Sequence, residues 1–103
     1  MEIRENLDLN RLTEVIQTLS KVNKIVLFGS RVKGNAKPSS DWDFALFGSN
    51  ITTNDILTLQ VEIEDLWLPY SVDLIDYNSI QNDALREHID RVGKVVWSRS
   101  ISE

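Results

Sequence analysis

The feature that most constrains the fold is a pair of apolar runs within residues 25–47, IVLFGSRVKGNAKPSSDWDFALF. The first run is wholly apolar, which is typical of a strand buried on both faces. The polar loop between the runs, residues 31–40, is shorter than the dozen or so residues that a parallel crossover needs. The two strands are therefore predicted to be antiparallel neighbours. This arrangement brings Gly29-Ser30, at the end of the first strand, beside Asp41 to Asp43 at the start of the second.

The rest of the chain predicts helices and strands in alternation around these two strands. Apolar residues at three- and four-residue steps predict amphipathic helices, and polar residues before them are candidate N-caps. Together the pattern indicates an α+β (α/β) fold with a small mixed sheet of three to four strands flanked by helices. In chain order we predict a helix over 8–22 with Asp8 as N-cap, followed by strands KIVLF and DWDFALF. A second helix, capped by Thr53 or Asn54 and stopped by Pro69, leads to strand YSVDLIDY. A last helix runs from Ser79 to about Arg91, with Gly93 at its end, and is followed by an edge strand KVVW.

Three aspartates are predicted to meet at one edge of this sheet. A helix lies between the second and third strands, which favours a parallel crossover and places Asp73 near Asp41 and Asp43. Side chains alternate across a strand, so these two aspartates share one face. Trp42 and Phe44 share the opposite, buried face.

Such a carboxylate cluster indicates metal-dependent phosphate chemistry. Ionised carboxylates that are packed together repel one another unless a cation lies between them. The chain has no cysteine and one histidine, so oxygen ligation of Mg²⁺ is favoured over a zinc site. An Asp-x-Asp pair such as Asp41 and Asp43 can hold two ions, the arrangement that serves in-line phosphoryl displacement. Asp73 is the predicted third ligand.

The loop between the strands has the residues that a phosphate group would need. Gly29 allows close approach of the backbone, and Ser30 offers a hydroxyl and an N–H at a turn or helix start. Arg31 and Lys33 could offset the charge of a triphosphate on the side away from the metals, with Lys37 nearby. The alternative is that these basic residues only solvate the loop.

Composition bounds the classes of function. The chain has 103 residues, which predicts one domain over 1–103 with frayed ends at 1–6 and 98–103. A net charge of −5 argues against bulk nucleic-acid binding and favours a small anionic ligand at the basic loop. No secretory signal or membrane-length apolar segment is visible, and with no cysteine a cytoplasmic location is expected.

The run FGSRVKGNAKPSSDWDFALF resembles the Gly-Ser and Asp-x-Asp signature of the DNA polymerase beta superfamily of nucleotidyltransferases. The likeness is closest to its minimal nucleotidyltransferases, and SVDLIDYNSI and ALREHIDRVGKVVW extend it over most of the chain. The resemblance implies a palm-like nucleotidyltransferase fold. It implies that Gly29 and Ser30 bind nucleotide phosphates, that Asp41 and Asp43 hold two Mg²⁺ ions, and that Asp73 completes the site and helps activate the acceptor hydroxyl.

The resemblance also implies a partner. Minimal nucleotidyltransferases often pair with a HEPN-domain ribonuclease encoded nearby as a toxin–antitoxin system, and some transfer AMP from ATP to the toxin. The expected activity is Mg²⁺-dependent transfer of a nucleoside monophosphate to a protein hydroxyl, in a homo- or hetero-oligomer. Two alternatives stay open: a non-catalytic nucleotide-binding module that neutralises the HEPN partner by binding, and a small-molecule (antibiotic) nucleotidyltransferase.

Five further residues have predicted roles. Asp76 could replace Asp73 as a ligand, but its position on the opposite strand face near the strand end favours a turn or capping role. His88 is expected at a surface or helix end. Trp67, Tyr70 and Trp97 are predicted to contribute to the core, although an exposed edge at Trp67 and Tyr70 could meet a partner.

Overall fold

The computed structural model describes residues 3–34, 36–37 and 40–99, with side chains described from residue 6 onward. The predicted frayed ends fall partly on residues 1–2 and 100–103, which lie outside the described residues. In chain order the elements are α1 (Ile3–Ile16), β1 (Val22–Phe28), α2 (Ser30–Lys33), β2 (Trp42–Gly48), α3 (Thr53–Glu64), β3 (Val72–Asp76), a 3₁₀ turn (Tyr77–Ser79), α4 (Asp83–Val92) and β4 (Lys94–Ser98).

The strands form one mixed sheet in the order β3-β2-β1-β4. β1 runs antiparallel to β2 and to β4, whereas β2 and β3 are parallel. The predictions of an α+β fold, an antiparallel first pair, a parallel third strand and a β4 edge strand are confirmed. The short helix α2 begins at Ser30, where the sequence had indicated a turn or a helix start.

Apolar side chains cover both faces of the sheet. On one face, α1 and α3 pack their buried residues against Trp42 and Phe44, whose rings stack at 6.1 Å. On the other face, Ile89 of α4 packs with Val26 and Ala45. Alternation along β2 therefore buries Trp42 and Phe44, as predicted, and turns Asp43 away from the α1/α3 face.

The predicted starts of α1 and α3 are wrong. α1 begins at Ile3, so Asp8 lies inside it and accepts a hydrogen bond from the Tyr70 hydroxyl instead of capping the helix. α3 is capped by Thr52, one residue before the earliest predicted cap. The Thr52 hydroxyl accepts from the Asp55 N–H at 3.1 Å, and the Asp55 carboxylate accepts from the Thr52 N–H at 2.9 Å. This reciprocal capping box fixes the start of α3.

The last helix also begins later than predicted. Ser79 belongs to the 3₁₀ turn, and α4 starts at Asp83 with the Asn82 side chain as its cap. Asp76 caps the 3₁₀ turn by accepting from the Asn78 N–H at 3.3 Å. The predicted capping role of Asp76 is therefore confirmed.

The prediction that Trp67 closes the core is wrong. α3 ends at Glu64, well before Pro69, and Trp67 follows it with a φ of +55°. This turn directs Leu66 and Leu68 toward the core and leaves Trp67 89% exposed. Within the described ranges, the helices are too short or too polar to span a bilayer.

Candidate active site

Asp43 lies where three parts of the fold meet. Its Cα is paired with that of Asp73 across the parallel β2/β3 ladder and with that of Phe28 across the antiparallel β1/β2 ladder. Since Gly29 follows Phe28 directly, the end of β1 comes against the Asp43 side chain. The structure thus brings together Asp43, Asp73 and the Gly29-Ser30 turn, as the loop length and the strand order predicted.

Gly29 makes this close approach possible. Its φ of +84° lies in the left-handed region that side chains rarely adopt. A Cβ at this position would lie 2.4 Å from Oδ2 of Asp43, inside any real contact distance. The carboxylate therefore occupies the space that a side chain would fill, and Ser30 begins α2 immediately beside it.

The environment of Asp43 disfavours its charge. Burial raises the pKa of Asp43, and the carboxylates of Asp73 and Asp41 raise it further through repulsion and a shared hydrogen bond with Asp73. Asp41 itself is exposed and lies one residue before β2. A cation bound here would relieve this repulsion and lower the pKa of Asp43.

The donor set fits Mg²⁺ that is completed by substrate. Among the residues that the structure describes, no three acidic, histidine or cysteine side chains are grouped tightly enough to hold a metal ion alone. Mg²⁺ commonly takes one or two carboxylates and fills its other positions with substrate phosphates and water. The pair of Asp43 and Asp73, with Asp41 nearby, matches that requirement.

Arg31 is placed differently from the predicted phosphate contact. Its side chain is 8% exposed, and its guanidinium donates to the Ser40 carbonyl from Nε at 3.2 Å and from Nη2 at 2.7 Å. The guanidinium carbon also lies 4.3 Å from the ring centroid of Trp42 and 5.0 Å from that of Tyr70. Arg31 thus ties the end of the loop, next to Asp41, onto the core. Lys33, at the end of α2, is exposed.

Replacing Arg31 with lysine is expected to lower the free energy of unfolding by about 2–3 kcal/mol, because lysine keeps the charge but loses the planar stack and the paired donors. Urea denaturation of both proteins measures this difference. Lys33→Arg, the reverse exchange at an exposed position, is the control and should change stability by no more than about 0.5 kcal/mol. Equal stability of the Arg31→Lys variant and wild type would contradict the anchoring role.

A protein-family model matches most of this chain. The profile described as polymerase beta nucleotidyltransferase matches residues 10–102. The chain belongs to this nucleotidyltransferase family. Within the family domain, the glycine-serine turn and the Asp-x-Asp pair are the parts that the fold brings together at the ends of β1 and β2. The curated proteins that were compared include no significant match to this sequence.

Solved structures show the same fold for this nucleotidyltransferase. A toxin–antitoxin structure with AMP-PNP matches at 25% identity and a TM-score of 0.76, over 88% of this chain and 73% of that chain. The toxin–antitoxin MntA–HepT matches at 23% identity and a TM-score of 0.71, over 91% and 73%. A tri-AMPylated HEPN toxin from Shewanella oneidensis in complex with an MNT antitoxin matches at 23% identity and a TM-score of 0.71, over 91% and 72%.

The sequence pattern did not indicate one polar contact near the candidate site. Tyr70, just before β3, donates to the Asp8 carboxylate of α1, and burial followed by this hydrogen bond raises the pKa of Tyr70 to about 12. The Arg31 guanidinium lies over the same tyrosine ring. The two partners are 62 positions apart, so no local pattern could have indicated the contact. It links α1 to the strand that carries Asp73.

Proposed function

We propose that this nucleotidyltransferase is a cytoplasmic, Mg²⁺-dependent enzyme that transfers AMP from ATP to a hydroxyl group of a HEPN-domain protein encoded nearby, as the antitoxin of that pair. The observation that carries the proposal is the position of Asp43, which is paired with Asp73 and packed against Gly29 in a chain of this family. The similar toxin–antitoxin structures, one with AMP-PNP and one with an AMPylated toxin, support the choice of nucleotide and partner.

The places of the residues in the fold support the following roles. Gly29 and Ser30 bind the phosphates at the end of β1, and exposed Lys33 provides a positive charge within the same short helix. Asp41 and Asp43 would hold Mg²⁺, with Asp73 completing the set. Arg31 acts indirectly, because its contacts with Ser40 and Trp42 hold the loop that leads into Asp41.

The proposed reaction is an in-line displacement at the α-phosphorus of ATP. The acceptor oxygen forms a bond to the α-phosphorus, the bond from that atom to the bridging oxygen of the β-phosphate breaks, and pyrophosphate leaves with the electron pair. Asp73 accepts the proton of the acceptor hydroxyl, since it lies beside Asp43 and is exposed at the edge strand. Bound Mg²⁺ would supply neutralisation of the charge that develops on the phosphate oxygens.

The test measures transfer and toxin neutralisation together. The protein is mixed with labelled ATP, Mg²⁺ and the HEPN protein encoded beside it, and the Asp41→Ala, Asp43→Ala double variant is run in parallel. We expect label on the HEPN protein and loss of its ribonuclease activity with wild type, and neither with the double variant. Labelling that persists in the double variant would contradict the proposed site. Full neutralisation by the double variant without label would favour the non-catalytic binding module.

A further inference from the structure

We propose that a cavity beside Asp73 seats a cationic side chain of the acceptor protein, and that Trp67 and Glu64 recognise it. This inference rests on the proposed function, because it assigns to the cavity the part of the acceptor next to the hydroxyl that receives AMP. The cavity offers an exposed aromatic ring for stacking and a carboxylate for ion pairing. This specificity surface is distinct from the phosphate turn at Gly29.

The cavity lies between the C-terminal half of α3, the turn that follows it and the start of β3. Its volume is about 440 Å³, within the range of pockets that bind small molecules or single side chains. Asp73, the proposed proton acceptor, belongs to its lining. A group bound in the cavity is therefore next to the site of transfer. Glu64, Trp67 and Tyr70 also line the cavity.

Trp67 has an unfavourable backbone conformation that its packing in the fold does not explain. Its side chain is 89% exposed, so burial stabilises it little. Its φ of +55° is left-handed, a conformation that is unfavourable for an L-residue and that glycine adopts without this penalty. The turn needs only the backbone here, because the N–H of Trp67 donates to the Glu64 carbonyl at 3.1 Å. An exposed tryptophan in a strained position, beside a cavity at the active site, points to a ligand contact.

The charge of the lining selects a cation. The described lining residues that are charged at neutral pH are Glu64 and Asp73, both acidic, while Tyr70 stays neutral with its pKa raised to about 12. An arginine or lysine can stack on an exposed indole and pair with a neighbouring carboxylate. Glu64, which has no part in the proposed metal site, would repel the phosphates of ATP or of a nucleic acid at its end of the cavity. The acceptor, rather than the nucleotide, is therefore assigned to the cavity.

The test uses two synthetic peptides that differ only in charge. Each peptide carries one serine and one tyrosine, whose hydroxyl groups can accept AMP. Arginines flank these two residues in the first peptide, and glutamates flank them in the second. Isothermal titration calorimetry measures binding to wild type, and we expect the arginine peptide to bind at least about tenfold more tightly. Glu64→Lys should reverse this preference. Trp67→Ala should weaken binding of the arginine peptide about fivefold without lowering the melting temperature.

The control variant is Val61→Ala, which truncates an exposed residue of α3 outside the cavity lining and should bind as wild type does. Equal affinity for the two peptides, or no measurable binding of either, would overturn the inference. A separate assay adds labelled ATP and Mg²⁺ to the same peptides and to the HEPN protein. A charge preference in binding without label on any acceptor would contradict the proposed function and leave the cavity's specificity standing.

Discussion

Replacing Asp43 with asparagine is expected to reduce AMP transfer by at least about a hundredfold, the loss typical of removing one preorganised electrostatic group. Asparagine has nearly the shape of aspartate, so it should remain against Gly29 and beside Asp73 while losing the charge that Mg²⁺ requires. The rate of label transfer from ATP to the HEPN protein measures the effect. Asp76→Asn is the matched control, because asparagine also caps a turn and Asp76 lies at the far end of β3.

The same substitution should make the metal-free protein more stable at neutral pH. Burial and the neighbouring carboxylates raise the pKa of Asp43 in the folded state, so between its ordinary and its raised pKa the folded state binds more protons than the unfolded state. The free energy of unfolding therefore falls as pH rises through that window, and the penalty persists above it. Asparagine removes the penalty.

Melting temperatures at two pH values, without metal, test this linkage. We expect Asp43→Asn to melt above wild type at neutral pH. The difference should disappear below the ordinary pKa of aspartate, where Asp43 is protonated in both states. A variant that is less stable than wild type at neutral pH would contradict the crowding of carboxylates at this edge of the sheet.

Replacing Gly29 with alanine is expected to be the most damaging change that leaves the carboxylates themselves intact. The new Cβ would lie 2.4 Å from Oδ2 of Asp43, so the carboxylate must rotate away. A displacement of about 1 Å at a reacting centre can cost about a hundredfold in rate. At a φ of +84° and a ψ of −157°, a backbone region nearly confined to glycine, alanine adds a stability cost of about 1–3 kcal/mol. Label transfer and urea denaturation measure the two effects separately.

Gly34 supplies the control for backbone strain. It has the same φ of +84°, but its ψ of 6° is left-handed helical, which costs an L-residue about 1–2 kcal/mol, and a Cβ there would meet no described atom within 4 Å. Gly34→Ala should therefore lose less stability than Gly29→Ala and keep its transfer rate. If both variants lost activity equally, strain in the loop rather than the contact with Asp43 would be responsible, and the proposed packing of the site would be wrong.

The parts of the fold that the sequence predicted depend on short-range constraints. The loop of residues 31–40 was too short for a crossover, so β1 and β2 had to be antiparallel. The alternation of Trp42 and Phe44 with Asp43 assigned the faces of β2, and the helix before β3 indicated a parallel strand. These constraints were sufficient to bring Asp43, Asp73 and Gly29 together.

The parts that were missed depend on tertiary contacts and backbone angles. Arg31 and Lys33 carry the same charge, so the sequence pattern does not distinguish their roles. The contacts of Arg31 with the rings of Trp42 and Tyr70 show that it anchors the loop. Trp67 is an apolar residue near a helix end, which favours a core position. Its positive φ, in the turn after α3, directs it outward, and the sequence pattern gives no sign of that angle.

The position of the label in ATP tests the central claim most directly. Two reactions contain the protein, Mg²⁺ and the HEPN protein encoded beside it, one with ATP labelled at the α-phosphate and one with ATP labelled at the γ-phosphate. Nucleotidyl transfer predicts that α-label becomes covalently attached to the HEPN protein and that γ-label is released in pyrophosphate. Attachment of γ-label, or the absence of α-label while the HEPN protein is still neutralised, would contradict the account.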